Sequence, residues 1–225
     1  MKFLVAATAL ESMGADFTYT TEVRAEINAG VVGSIYLVGG GDPLLAASWY
    51  PDDLTLSKYP QQPATSLEAL ADSVVAAGVT QITGNVVGDA SHYDEELYPP
   101  SWPIGFRAIQ GGPISGLLVN DGAVLGASMK STNPAMGAAQ EFYRLLKERG
   151  VTIIGAPASG MSPVGLPTVA AIQSAPLIDI IGEMLRNSDN NTAEMMLKEI
   201  GFRVSGVGSR AAGASAVMAK LSSWG

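Results

Sequence analysis

Residues Arg186 to Glu194 read Arg-Asn-Ser-Asp-Asn-Asn-Thr-Ala-Glu, a run of hydroxyl, carboxylate and amide side chains between two segments of helical period. Upstream, Leu177, Ile180, Ile181, Met184 and Leu185 follow the i, i+3, i+4, i+7, i+8 spacing of one helical face. Ser188, Asp189 and Asn190 therefore fall on an inter-helix loop, where polar side chains can point into a cleft. The same letters also fit a local device in which Asn191 caps the next helix and Glu194 closes a capping box. Other polar clusters lead to blander readings. Asp89, His92, Asp94, Glu95 and Glu96 hold one histidine and no second ligand pair at fixed spacing, so they read as a solvated acidic loop, with no metal implied. That single histidine disfavours a Ser-His-Asp triad. Gly39 to Gly41 precede Asp42-Pro43 with no Gly-Lys-Ser/Thr after them, which makes a tight turn and not a phosphate cradle. Trp102, between Pro100 and Pro103, reads as a buried loop anchor.

Ser-Asp-Asn is one of three short motifs of the serine enzymes that penicillin acylates, and other words of the sequence stand around it in order. Met1 to Asp16, MKFLVAATALESMGAD, is similar to the helix that follows the nucleophile in such enzymes. Gly30 to Leu45 reads GVVGSIYLVGGGDPLL, Gly84 to Trp102 contains VVGDASHYDEELYPPSW, Gly111 to Val124 reads GGPISGLLVNDGAV, and Ser174-Ala175-Pro176-Leu177 leads into the Ser-Asp-Asn block. In this order and spacing the words resemble the class C low-molecular-mass penicillin-binding proteins, bacterial serine D-Ala-D-Ala carboxypeptidases and endopeptidases that trim peptidoglycan.

The resemblance makes Lys2 the lysine of Ser-x-x-Lys, which places the nucleophilic serine two residues before Met1, outside this chain. No Lys-Thr-Gly occurs either, so the chain reads as an internal fragment that forms no acyl-enzyme by itself. By the same resemblance Lys2 is the base that activates the serine, Ser188 relays a proton to the departing D-alanine amine, and Asn190 holds the substrate amide. Ser188 and Asn190 are thus substrate-binding as well as catalytic. Lysine one helical turn after a serine suits that task, because a hydroxyl is a poor nucleophile until a base takes its proton. Water then releases the acyl group, and neither metal nor organic cofactor enters.

The implied substrate is a peptidoglycan stem peptide ending in D-Ala-D-Ala, β-lactams are the implied inhibitors of the parent, and the implied location is outside the cytoplasmic membrane. The implied fold class is α+β and multidomain. A partial transpeptidase or β-lactamase-like domain (1–19 and 176–225) is split by inserted β-rich domains, one from 20–45 and 113–175 and one from 46–112. If Lys2 and Ser188 share a cleft, Lys2 Nζ stands within roughly 3 to 5 Å of Ser188 Oγ or Asn190 Oδ1. Two other functions fit fewer features: a non-catalytic wall-binding module in which the motif residues are relics, and a β-lactamase, which has no need of so long an insertion.

Composition is that of a folded chain: 225 residues, 47% of them hydrophobic, are enough to bury a sizeable core. A net charge of −8 argues against nucleic acid as a partner. The absence of cysteine excludes disulfides without fixing a compartment. Lys2 and the apolar run Phe3 to Leu10 imitate a secretory signal, but the positive region is one residue and Glu11 follows at once. No segment reaches the roughly 18 uninterrupted apolar residues of a membrane span.

The elements that must position the loop follow from periodicity. Residues 3–13 read as an Ala-rich helix, Phe17 to Ile27 as an alternating strand and Ser34 to Val38 as a second one. Pro51 to Pro63 reads as loop. Ser66-Leu67-Glu68 opens a helix with Leu67, Leu70, Val74 and Val75 on one face, stopped by Gly78. Val79 to Val87 is strand-like and Pro99 to Gly112 irregular. Met136 to Arg149 is an amphipathic helix ended by Gly150, and Val151 to Ile154 a short strand.

Overall fold

The structure is a computed structural model that describes residues 2–50, 63–107 and 111–225. Met1, nearly all of the loop expected over 51–63, and residues 108–110 of the irregular stretch lie outside the described residues. The fold is α+β with mixed sheets. Among the described residues no helix is long and apolar enough to cross a membrane.

The apolar stripes become two large buried clusters. One is helical. It joins α1 (Lys2–Met13), α4 (Leu177–Asn187), α5 (Asn190–Ser205) and α6 (Arg210–Trp224) through Val5, Ala9, Ile180, Met184, Met196, Ile200 and Val217. The axis of this cluster is α5, buried on nearly every face from Asn191 to Gly201. It packs on α6 at very close range, because an added Cβ on Gly213 would lie 1.9 Å from the Leu197 carbonyl oxygen.

The second cluster fills the space between a five-stranded sheet and two helices, α2 (Leu67–Ala76) and α3 (Pro134–Glu148). Ser66 caps α2 by accepting from Ala69 N, and Asn133 caps α3 by accepting from Met136 N, with Pro134 at the first helical position. These caps start α3 two residues before the expected Met136. The sheet contains β1 (Thr20–Arg24), β4 (Ile35–Val38), β8 (Val86–Asp89), β10 (Pro157–Ser159) and β11 (Thr168–Gln173) in the order β10-β8-β4-β1-β11. β4, β8 and β10 run parallel, and β1 is antiparallel to both β4 and β11. The cluster draws Val23 and Leu37, Leu67 and Val86, and Phe142 and Ala170 into one core. Residues of the stretch 46–112, among them Leu67, Leu70, Val74 and Val86, pack into this same cluster.

Several expected strands are shorter because the chain changes sheets inside them. β2 (Ile27–Asn28), β3 (Val31–Val32), β7 (Gln81–Ile82) and β9 (Thr152–Ile153) form a second sheet in the order β2-β3-β7-β9. Each of β3, β7 and β9 continues into a parallel strand of the first sheet through a bend at Gly33, Gly84 or Gly155. The bends stack: Gly84 N donates to Gly33 O at 2.9 Å and Gly155 N to Gly84 O at 3.1 Å. A Cβ on Gly155 would stand 2.1 Å from Gly84 O. The run expected over 79–87 is accordingly split in two, and the single strand expected over 17–27 ends at Arg24. A short parallel pair, β5 (Leu45–Ala46) with β6 (Thr65–Ser66), completes the strands among the described residues.

Gly213→Ala is expected to destabilise the protein by about 1–3 kcal/mol through overpacking against α5, although alanine favours helix over glycine by about 1 kcal/mol. Gly182→Ala on α4, where the nearest atom is a flexible arginine terminus at 3.8 Å, is expected to be neutral or stabilising. Urea unfolding of both variants checks the pair.

Candidate active site

Ser188 ends α4 in the left-handed conformation, φ 55° and ψ 40°, and its N–H donates to Met184 O. Glycine fills this position most cheaply, and a non-glycine residue there costs on the order of 1 kcal/mol. Asp189 then caps α5, its carboxylate accepting from Asn191 N at 2.8 Å, Thr192 N at 3.3 Å and Thr192 Oγ1 at 2.8 Å. The cap is thus Asp189 and not Asn191, and Glu194 pairs with Arg210 at 3.4 Å instead of closing a capping box. With the cap supplied by Asp189, Ser188 and Asn190 are left to face the start of α1. Lys2 Nζ donates to Asn190 Oδ1 at 2.6 Å and to Ser188 Oγ at 3.3 Å, across 188 and 186 positions of sequence. The three side chains singled out from sequence are therefore brought together, within the separation expected of residues sharing one cleft.

Behind this trio lies a group of acids. Asp121 pairs with Lys130 and accepts from Asn191 Nδ2. Burial pushes the Asp121 carboxyl above the usual carboxylate range, against the pull of Lys130. Tyr50 is raised by burial and by the neighbouring charges of Asp121 and Asp189. Glu183, on α4 and 3% exposed, accepts from Asn187 Nδ2 at 2.9 Å through one oxygen. Its other oxygen has no partner among the described residues. Burial, with Asp189 and Asp121 nearby, raises Glu183 to about 7.

The acidic stretch 89–96 is solvated at Ser91, Asp94 and Glu95, but α5 supplies partners for His92, Tyr93, Asp94 and the Glu96 carbonyl. Glu199 is fully buried and accepts from Tyr93 Oη at 3.0 Å and Arg203 Nε at 2.7 Å, with His92 Nε2 at 2.8 Å. Burial alone would raise its pKa, but His92 and Arg203 hold it below the usual range. Lys198, 2% exposed, donates to Asp94 Oδ1 at 2.6 Å and Glu96 O at 2.7 Å. Asp89 accepts from Ser91 N and Ser162 N. The triple glycine is more than a turn. Added Cβ atoms would stand 2.2 Å from Gly116 O at Gly39, 2.1 Å from Thr20 O at Gly40 and 2.1 Å from Tyr93 Oη at Gly41, so all three permit close packing where the two clusters meet. Trp102 packs edge-to-face on Phe106 at 5.1 Å and against the small cluster around Met195, a loop anchor that is partly and not fully buried.

Compared with protein-family models, residues 1–125 and 109–225 match the D-Ala-D-Ala carboxypeptidase 3 (S13) family, and the two matches together cover the chain. The chain belongs to this family. It is 34% identical over 194 residues to a D-alanyl-D-alanine carboxypeptidase of Actinomadura sp. (strain R39), a match covering 78% of this chain and 33% of that protein. It is 29% identical to a carboxypeptidase of Mycobacterium tuberculosis, over 98% of this chain and 46% of that one. The chain thus spans about a third to a half of the curated relatives it matches. Among solved structures, penicillin binding protein 4 of Haemophilus influenzae superposes with a TM-score of 0.83 at 16% identity, over 100% of this chain and 61% of that one. The same protein complexed with a β-lactam superposes with a TM-score of 0.66 at 17% identity.

Within this S13 chain the residues that sequence reasoning missed are Asp121, Lys130 and Glu183, and Asn191 was read only as a helix cap. Asn120-Asp121-Gly122 carried a signal, since Asn, Asp and Gly tolerate the left-handed region. Glu183 carried only a weak one, an acid beside the apolar stripe of α4. Its consequence is measurable. A carboxyl raised from 4.5 to about 7 on folding binds more protons in the native than in the unfolded chain, so its stabilising contribution is complete below pH 4.5 and is lost as pH rises through 7. Glu183→Gln keeps the acceptor for Asn187 and removes the charge. The variant is expected to match wild type near pH 4.5 and to exceed it by about 1–3 kcal/mol at pH 8, read by urea unfolding at both pH values.

Proposed function

We propose that this chain carries the base and proton-relay part of a serine D-Ala-D-Ala carboxypeptidase or endopeptidase that cleaves peptidoglycan stem peptides outside the cytoplasmic membrane. The observation that supports it best is Lys2 Nζ held between Ser188 Oγ and Asn190 Oδ1. In this reading residues 1–19 and 176–225 belong to a transpeptidase-like domain and 20–175 are inserted into it, in keeping with the helical cluster at both ends of the chain and the sheet cluster between them.

The reaction assigns each group a task. A serine one helical turn before Lys2 gives its proton to the Lys2 amine as its oxygen bonds to the carbonyl carbon of the penultimate D-alanine. The carbon–nitrogen bond to the terminal D-alanine then breaks, and the leaving amine takes a proton handed on through Ser188. Asn190 holds the substrate amide, which fixes the carbonyl against the nucleophile. Water cleaves the resulting ester and restores the serine.

Within these 225 residues neither Ser-x-x-Lys nor Lys-Thr-Gly occurs. The chain as it stands is therefore expected to take up no fluorescent penicillin, whereas a version extended at both ends to include the two motifs is expected to be labelled. In that extended version Lys2→Ala is expected to slow labelling by about 100-fold or more, the scale of a lost general base. Stoichiometric labelling of the 225-residue chain, or full-rate labelling of extended Lys2→Ala, overturns the assignment. Failure of the extended wild type to label favours a wall-binding role.

A further inference from the structure

We propose that Asp121, braced by Lys130, is a positioning residue for this site: through Asn191 it fixes the first turn of α5 and so the Asn190 amide against which Lys2 is held. The inference deepens the function just proposed and rests on it for its catalytic meaning.

The geometry is that of a clamp. Asn191 is 4% exposed and both ends of its amide are engaged. Its Oδ1 accepts from Gly112 N at 2.7 Å and its Nδ2 donates to Asp121 Oδ1, while Lys130 Nζ donates to Asp121 Oδ2. Because Asp189 already caps the helix, the Asn191 side chain is spared for this contact. The turn that presents Asp121 is strained. Asn120 and Asp121 both lie at φ 54°, followed by Gly122 at φ 84°. Two successive non-glycine residues in that region cost about 1 kcal/mol or more each and persist only where surrounding contacts enforce them. Here the enforcing contacts are Ala47 N donating to Asn120 Oδ1 at 2.7 Å, and Ser131 N donating to Gly122 O at 2.7 Å, which also anchors the segment carrying Lys130. Gly112 belongs to the same device, for an added Cβ would lie 2.5 Å from Asn191 Nδ2.

Charge explains why a lysine must stand behind the aspartate. Asp121 is close enough to Asp189, Glu183 and Tyr50 for mutual repulsion or desolvation to matter. Lys130 is the cation paired with it. Without Lys130 the carboxylate, left among like charges, is driven to swing away, which releases Asn191 Nδ2. Asn190 is the adjacent residue on the same turn, so its Oδ1 loses registry with Lys2 Nζ.

The test uses Asp121→Asn, Lys130→Met and the conservative Lys130→Arg. In the 225-residue chain the side-chain ¹⁵Nζ resonance of Lys2 is followed by NMR, with Lys220, which pairs with Glu11 at 2.7 Å on another face, as internal control. Asp121→Asn and Lys130→Met are expected to shift Lys2 and leave Lys220 in place, and Lys130→Arg to return Lys2 most of the way. In the extended version the acylation rate constant for a fluorescent penicillin is expected to fall up to about 100-fold in the first two variants, the scale of an ångström-sized misplacement. Penicillin affinity before acylation is expected to change less than twofold, and Lys130→Arg to recover the rate. An unmoved Lys2 resonance, or an acylation rate within twofold of wild type in both Asp121→Asn and Lys130→Met, overturns the proposal. Should the extended wild type fail to acylate, the functional reading falls while the Lys2 resonance still decides the clamp. Should Asp121→Asn fail to fold, Lys130→Met, which alters only a partly exposed side chain, decides it.

Discussion

The rest of this structure depends on a fully buried carboxylate, Glu199, at the middle of the most enclosed helix. An ionised carboxyl cannot stay out of water without donors, and one without them is costly enough to reorganise its surroundings. Arg203 supplies one donor from the same helix, but His92 and Tyr93 come from more than a hundred residues away. Lys198, one residue earlier, imposes the same demand in the opposite sign and is met by Asp94 and the Glu96 carbonyl. The helix therefore cannot be buried unless the strand and loop 86–96 return to it. Glycines at 39–41 let backbone and Tyr93 approach closely enough for that return. Since Asn190 opens the same helix, the contacts that join the two cores also fix the register of the candidate site.

Strain and charge near the site follow one logic. Ser188 occupies a conformation that suits glycine, and Asn120 and Asp121 do the same across from it. Such positions persist only when the surroundings hold them, and they cluster where a side chain is needed for more than packing. Glu183, Asp121 and Asp189 crowd the rear of the loop, while Lys2 and Lys130 bring the opposing charge. Repulsion among the acids makes the lysine contacts matter more than exposed ion pairs generally do.

Helices were legible in the sequence from their apolar stripes, sharpened in α2 by the Ser66 cap. Ser66 with Leu67, Leu70 and Val74, and Leu177 with Ile180, Ile181 and Met184, read as they fold. Strands were legible as apolar runs but not as boundaries, because their ends are set by bends at Gly33, Gly84 and Gly155 that make sense only once three chains lie side by side. β11 went unread since its burial hardly alternates, and β10 since it is three residues long. Lys2, Ser188 and Asn190 were picked out by the order of motif words; no local pattern of theirs predicts proximity across 186 positions. Asp121 and His92 stayed hidden for the converse reason, since their roles are created by partners, Asn191 and Glu199, that lie 70 and 107 residues further along.

The stacked bends at Gly33, Gly84 and Gly155 have a mechanical consequence. Three parallel chains cross from one small sheet to the other at the same level, tied by hydrogen bonds running from bend to bend. None of these three can leave one sheet without pulling on its own continuation in the other. The pair behaves as a single creased plate, and a force applied at the β2 edge is carried across the crease to β1 and β11. Stiffness of this kind comes from backbone alone and does not depend on the side chains that face away from the core. A frame tied in this way is consistent with the common shape that the chain keeps with a structure only 16% identical to it.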